Sequence, residues 1–545
     1  MALLPFFSLE KKKVLIIDDF AEMRSLLRSM VITFTPEVID VASNGKDALQ
    51  AISRHKYDII FCDYDLGPGK NGSQVLEEAK HSNILSPQCM FFIITAETKT
   101  SWVMGAIEYQ PDGYITKPFT KATLRSRIEK MASKKERLAK IESALSDKRL
   151  LEAAKLTDEA IKSSPKNLLE LMQIKGELMI GLGNWQEARN TYEQILNIRE
   201  FPWASLGLGK ALFSLGRHDA AEEIFQTLIT KHENYLEAYD WMAKLREQQD
   251  ALDEAQNTLN IAVKKSPKSI LRQKAYAQLA NENGDYQTAE SAYKKVLDLG
   301  RFSCFKSPSD YTGLAKACMN QNKNEEALAT VSSISQEFEN DTQAQLEATI
   351  AESQIHHHSG DEEKALNALD KATEMYQRQG RTPSSDTAME FAQALFQQGK
   401  DEEANAILEK VIQNNHTNDA LLNKITKVYK QAGKEEEGRA FIDKARGEVI
   451  HLNNEGVKLA RSGDLKGAID FLEKAVTNLP GNETINLNVA QVIIFYLERN
   501  SYDDDLVKKC KNYLRRAEEI NPSSEIYQKL LSRFKSYVKN SKAIA

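Results

Sequence analysis

Three aspartates, a threonine and a lysine near the N-terminus occupy positions where chemistry is possible. Asp18 and Asp19 follow the apolar run VLII, Asp63 follows DIIFC, Thr95 closes FFIIT, and Lys117 follows GYIT. These runs are short and rich in β-branched residues, and helical stretches such as AEMRSLLRSM and KDALQAI separate them. That alternation is the pattern of a parallel sheet covered by helices on both faces. In such a sheet the C-terminal strand ends converge on one edge, where ligands bind. Three carboxylates and a lysine gathered there suit a hard divalent cation and a phosphoryl group. Mg2+ takes oxygen ligands, commonly one or two carboxylates plus phosphate oxygens. A carboxylate can act as a nucleophile and form an aspartyl phosphate. A lysine beside it adds positive charge and a hydrogen-bond donor.

The elements that must position these groups read as five strands, near residues 13–17, 37–41, 58–62, 90–95 and 113–116, with five helices. Strands stop after about residue 133, and helical periodicity then repeats. A small residue recurs about every 34 positions at Ala188, Ala221, Ala255, Ala289, Ala327, Ala365, Ala404 and Ala468. A glycine precedes most of these by five or six residues, at Gly183, Gly216, Gly284, Gly360, Gly399, Gly433 and Gly463. A second small residue comes earlier still, at Gly176, Gly209, Ala243, Ala277, Ala315, Ala392 and Gly456. This predicts a repeated helix–turn–helix. The glycine ends one helix in a left-handed conformation, the small residues let paired helices approach, and Pro165, Pro267 and Pro480 stop the second helix. Gly438 takes the alanine's place in one unit, and insertions of about four residues precede the units of Ala327 and Ala365.

Composition bounds the rest. The 545 residues exceed one core and imply several structural units. Net charge is −6, too mild for a chain built to coat nucleic acid. Five cysteines without regular spacing indicate reduced thiols. The N-terminus, MALLPFFSLEKKK, is apolar first and basic second, the reverse of a secretory signal. The longest apolar run, VIIFYL, is too short to span a bilayer. The expectation is a cytoplasmic protein with no membrane insertion and no nucleic-acid partner.

Four segments in order carry a resemblance to the receiver domain of bacterial two-component response regulators: VLIIDDFAEMRSLLRSM, YDIIFCDYDLGPGKNG, FFIITAE and GYITKPFT. The repeats resemble tetratricopeptide repeats, most clearly from Tyr235 to Ser269. The resemblance implies a doubly wound, flavodoxin-like α/β receiver with strand order 2-1-3-4-5, followed by an all-α solenoid. The expected domains are residues 1–133 (receiver), 134–522 (about ten to eleven helix pairs) and 523–545 (capping helix and tail). The resemblance also assigns roles. Asp63 accepts the phosphoryl group. Asp18, Asp19, Asp63 and the backbone carbonyl of Asp65 hold Mg2+. Lys117 and Thr95 contact the phosphoryl oxygens. Thr95 and Tyr114 form the switch, and the peptide bond to Pro118 is cis. The loop after Asp63 departs from the family: Gly67 stands at the usual proline, Pro68 follows, and one extra residue precedes Gly72. That departure bears on Mg2+ affinity and phosphate lifetime, while every chemical position is filled.

Other residues invite chemistry and have plainer readings. His356, His357 and His358 are consecutive on a helix, point about 100° apart and read as a solvated face. The basic run around Lys508–Arg516 is interleaved with apolar positions and reads the same way. Trp203 and Trp241 read as inter-helix packing, and Cys62 as a core thiol. The resemblance implies the expected function: a phosphorelay response regulator, not an enzyme beyond slow autodephosphorylation. On that expectation a sensor histidine kinase phosphorylates it, and the face around the fourth strand, fourth helix and fifth strand then gates the arm. The arm's concave surface takes a protein or peptide target, and a receiver-mediated dimer is possible. Two alternatives stand beside this: a modulator or phosphate sink that grips a kinase, and a constitutive scaffold.

Overall fold

The computed structural model describes residues 9–96, 111–163, 167–379, 383–500, 502–522 and 524–542. Five strands make one parallel sheet: β1 Lys13–Ile17, β2 Val38–Ala42, β3 Ile59–Asp63, β4 Met90–Thr95 and β5 Gly113–Thr116. Their order is β2-β1-β3-β4-β5, and each lies within a residue of its expected range. The strand order reverses at β1, which is flanked by β2 and β3, and this opens a crevice at their carboxyl ends. The register pairs Ile17 with Cys62, so the next residues along, Asp18 and Asp63, emerge side by side.

Among the described residues four helices cover the sheet: α1 Ala21–Ile32, α2 Gly45–Arg54, α3 Gly72–His81 and α4 Lys121–Ser146. The helix expected between β4 and β5 falls in 97–110, outside the described residues. Alternate residues of each strand feed two cores. Leu15, Ile17, Ile60, Cys62, Phe91 and Ile93 meet Ile52, Val75 and Leu76 of α2 and α3. Val14, Ile16, Phe61, Phe92 and Ile94 meet Leu27, Val31, Leu124 and Ile128 of α1 and α4. Each such side chain, fully buried, contributes about 1.5–3 kcal/mol. Local signals set the helix starts. Asn44 caps α2 through the Asp47 amide, and Asn71 with Gln74 closes a reciprocal capping box on α3.

Helix α4 runs unbroken across the expected boundary at 133/134. Leu124 and Ile128 belong to the sheet core, and Leu138, Ile141 and Ala144 are buried farther along. From there the chain is helical. It divides into two compact units, one of Met1–Glu177 with Trp185–Ala317, the other of Leu178–Asn184 with Cys318–Ala545.

Within both units the predicted pairing is present. The recurrent alanines at 188, 221, 255, 289, 327, 365, 404 and 468 have no exposed surface. The turn glycines adopt positive φ, from 68° at Gly183 to 94° at Gly463. Where a unit lacks that glycine another residue takes the left-handed turn: Lys148 (φ 54°), Asp250 (φ 61°) and Asn322 (φ 59°). Asp and Asn tolerate this region better than other side chains. Helices end at Lys265 and Asn478, just before Pro267 and Pro480, while Pro165 lies outside the described residues. Gly438 has a steric reason: a Cβ there would lie 2.3 Å from the Tyr429 ring.

One stretch departs from helix–turn–helix. The step from Gly438 to Ala468 is 30 residues, against 34 from Ala404 to Gly438. The missing residues are the turn between units, and Glu435–Arg461 forms one continuous helix of 27 residues. The last helix, Glu525–Lys542, contributes Tyr527, Leu530 and Phe534 to the terminal core.

Candidate functional site

At the carboxyl edge of β1 and β3, Asp18 is fully buried and Asp63 nearly so. Carboxylate oxygens of Asp18, Asp19 and Asp63 lie within 4.8 Å of one another. Lys117, on the turn after β5, reaches both deeper aspartates, with Nζ 2.7 Å from Asp63 Oδ2 and 3.2 Å from Asp18 Oδ2. The Lys117–Pro118 bond is cis. The Lys117 amide donates to the Thr95 carbonyl at 2.8 Å, which ties this turn to the end of β4. Thr95 itself is buried. Backbone amides orient the carboxylates: Tyr64 N donates to Asp63 Oδ1 at 2.8 Å, and Phe20 N to Asp18 Oδ1 at 2.9 Å. Arg24 fastens the loop from below, donating to the carbonyls of Asp18 and Asp19.

One ammonium shared by crowded carboxylates sets the electrostatics. Burial pushes the Asp63 carboxyl up to about 6; Lys117 and the Tyr64 amide pull it down, and Asp18 pushes it further up. Burial pulls the Lys117 ammonium down, but its bonds to Asp63 and Asp18 outweigh this and leave it raised. The two upward shifts look opposed for one ion pair. They have different causes: burial dominates at Asp63, with Asp18 adding to it, whereas the Lys117 ammonium is favoured by two carboxylates at once. Asp19 Oδ1 is buried without a hydrogen-bond partner among the described residues. An all-oxygen donor set with surplus negative charge and an unsatisfied buried oxygen fits a small divalent cation such as Mg2+.

Asp65 sits two residues beyond β3 with its side chain exposed, and its carboxylate accepts from Gly67 N at 3.1 Å. Tyr114 packs with Tyr64 against the core that contains Cys62 and Ile93. Its hydroxyl is buried with no hydrogen-bond partner among the described residues, and burial raises its pKa. The residues read from the sequence as phosphoryl, metal and switch positions, Asp18, Asp19, Asp63, Asp65, Thr95, Tyr114 and Lys117, therefore lie at this edge or beside it. Sequence reasoning missed Gly72 as a determinant of the pocket. A Cβ on Gly72 would lie 2.1 Å from the Asp63 carbonyl oxygen and 2.9 Å from Cys62 Sγ, so the first residue of α3 must be glycine for the helix to start against the acidic strand.

The plainer readings also have structural counterparts. Cys62 is buried, and burial raises its thiol pKa well above the ordinary value, with Asp63 adding to the effect. His357 uses a ring nitrogen on Glu362 and Gln398. Trp241 packs edge-on against Phe213 at 5.6 Å, and Trp203 stacks on Phe201 at 5.4 Å. Lys508, Lys509 and Arg515 pair with Asp504, Glu473 and Glu519. Among the described residues no helix is long and apolar enough to cross a membrane.

A doubly wound sheet with an acidic pocket and a lysine at its switch point defines a phosphoacceptor-type signalling domain. Comparison with known proteins agrees. Residues 14–129 match the family model described as the response regulator receiver domain. Tetratricopeptide-repeat models match residues 179–245, 212–279 and 386–415. The chemotaxis protein CheY-3 of Vibrio cholerae serotype O1 is 32% identical over 125 residues, covering 22% of this chain and 90% of that protein. The chemotaxis protein CheY of Pseudomonas aeruginosa is 33% identical over 129 residues, covering 22% and 94%. Among solved structures, a tetratricopeptide repeat protein from Parabacteroides merdae covers 47% of this chain and 96% of that one, at 18% identity and a TM-score of 0.32. Vibrio cholerae chemotaxis protein CheY4 covers 22% and 99%, at 21% identity and a TM-score of 0.21. The chain belongs to the response regulator receiver family, with a tetratricopeptide-repeat region following its receiver. It is a response regulator whose output is protein interaction, in a family of signalling phosphoacceptors.

Proposed function

We propose that a sensor histidine kinase phosphorylates this chain on Asp63, and that the repeats carry the result to a protein partner in the cytoplasm. In this reading residues 1–133 are the switch, 134–522 the arm and 523–545 its cap. Asp18, Asp19, Asp63 and the carbonyl of Asp65 would hold Mg2+, which would compensate negative charge on the transferring group. The carboxylate of Asp63 attacks phosphorus, the new P–O bond forms as the P–N bond to the kinase imidazole breaks, and the imidazole takes up a proton. Lys117 and the Thr95 hydroxyl then hold the phosphoryl oxygens. Tyr114, whose hydroxyl has no hydrogen-bond partner among the described residues, moves with Thr95 and shifts the population of the receiver's exposed face.

The observation that carries this reading is the Lys117 ammonium lying between Asp63 and Asp18, a ready counter-charge for a phosphoryl group on Asp63. The test is incubation of the intact chain with acetyl phosphate and Mg2+, followed by peptide mass mapping. One phosphoryl group is expected on the peptide containing Asp63, and none on an Asp63→Asn chain. An unlabelled wild-type chain, or equal labelling of both, refutes the assignment.

A further inference from the structure

Two departures of this sequence from its families lie far apart in the chain: the altered loop after Asp63 and the insertion preceding the Ala327 unit. They meet in space. The insertion forms the segment between helix Tyr286–Gly300 and helix Pro308–Met319, and it lies against α3 inside a single compact unit. Glu77 of α3 is only 3% exposed. Its Oε1 accepts from the Ser303 hydroxyl, from Cys304 N at 2.9 Å and from Cys304 Sγ at 3.1 Å. Burial, and then Glu77 itself, push the Cys304 thiol up to about 12, so the thiol is a donor. Lys70, on the altered loop, donates to the Phe302 carbonyl at 2.5 Å and pairs with Glu78 at 2.6 Å. Gln74 uses its oxygen to cap α3 and turns its amide nitrogen to the Leu299 carbonyl at 3.5 Å. His81 meets the Phe305 ring edge-on at 5.9 Å.

From this geometry we infer that the α3 edge is the receiver's docking surface for its own repeat arm, with segment 299–307 as the occupant, and that phosphoryl transfer to Asp63 weakens the dock. The inference rests on the assignment of Asp63 made above. The route is short. Gly72 N donates to the Tyr64 carbonyl at 2.8 Å, and Gly72 Cα lies so close to the Asp63 carbonyl that no Cβ fits between. Any change in the main chain at Asp63 is passed directly to the first turn of α3. Lys70 stands on the loop that must rearrange around the ion and the phosphoryl group, and Gln74 belongs to the cap beside it. Two of the anchors are thus fixed to the part that moves. Of the other two, His81 and Glu77, the second is poised to release: Glu77 Oε2 and Ser73 Oγ, one turn apart on α3, are buried with no hydrogen-bond partner among the described residues, and such groups oppose burial.

The experiment uses the intact chain, Mg2+ and beryllofluoride as the phosphoryl mimic. Fluorine NMR reports occupancy of the acidic pocket, and amide hydrogen exchange reports the dock. The expected result is a bound-fluoride signal together with loss of protection at the Cys304 amide and across 299–307. Bound fluoride with unchanged or increased protection there overturns the dock and leaves the Asp63 assignment standing. Absence of bound fluoride overturns both. Reciprocity supplies a second test, because a dock that opposes the phosphorylated form must be opposed by it. Ser303→Ala and Lys70→Ala chains are expected to reach half-saturation at about five-fold less beryllofluoride. Half-saturation equal to wild type in both variants also overturns the inference.

Discussion

Asp63→Asn should stabilise the receiver in the absence of metal, and by an amount that depends on pH. Asp63 titrates at about 6 against an ordinary value of 3.8, because it is buried next to Asp18 and shares one ammonium with it. The folded chain therefore binds this proton more tightly than the unfolded chain does. The stabilisation is complete below the ordinary carboxyl value, is lost as pH rises through about 6, and is absent above. At ~1.4 kcal/mol per tenfold change in proton affinity the loss amounts to about 3 kcal/mol. An amide cannot ionise, yet its oxygen can still accept from Tyr64 N and Lys117. The variant should match wild type near pH 4 and exceed it by up to about 3 kcal/mol near pH 8. Mg2+ should shrink that gap, since a divalent cation relieves the same repulsion in wild type. A chain with two compact units has no single unfolding transition, so the readout is amide exchange at Ile16, Phe61 and Ile93, which reports local opening of the sheet. A variant less protected than wild type at high pH, or a gap that ignores both pH and Mg2+, would show that burial beside Asp18 does not disfavour the ionised Asp63 carboxylate.

Three further outcomes follow from the repeats. Gly438→Ala places a Cβ 2.3 Å from the Tyr429 ring and should cost about 1–3 kcal/mol, read as faster exchange in helix Asp419–Gln431 with the sheet unaffected. Asp240→Ala leaves the Arg272 guanidinium, 6% exposed, without its two-point partner. The expected cost is about 2 kcal/mol, and an Arg272→Met, Asp240→Ala double variant should recover part of it. Asp250→Gly relieves a left-handed aspartate at φ 61° and should be neutral or stabilising by up to about 1 kcal/mol, whereas Gly284→Ala at φ 77° should destabilise by about that much; amide exchange in helices Leu252–Lys265 and Tyr286–Gly300 orders the two variants against wild type.

The sequence made the sheet and its acidic edge legible because both depend on local pattern. Strand alternation located β1 through β5, and catalytic-type side chains are visible as letters. Turn glycines were legible for the same reason, while Asp250, Asn322 and Lys148 were not, since non-glycine residues enter the left-handed region only when flanking helices force them. The 27-residue helix Glu435–Arg461 is readable in hindsight: a step shortened by four residues removes one helical turn's length of chain, and the turn between units disappears. The α3 dock was not readable. Glu77, Ser303 and Cys304 carry no motif, and a contact across more than two hundred residues of sequence depends on how the repeats curve. The sequence reading placed control of the arm on the face of β4, β5 and the helix between them. The contact seen is at α3, and the segment between β4 and β5 where a helix is expected, 97–110, lies outside the described residues.

Helix α4 has a consequence for inheritance. A receiver tied to its neighbour by a flexible linker tolerates insertions, because the linker absorbs them. Here the join is a rod from Lys121 to Ser146. One added residue turns everything beyond it by about 100° and advances it by about 1.5 Å. Orientation returns only after roughly seven residues, and then about 20° out of phase. Residue spacing in this rod is thus under the same selection as a reading frame. Single insertions that surface loops would accept should be purged here, and a receiver borrowed from a relative would align with these repeats only if it arrived with its final helix cut to the same phase.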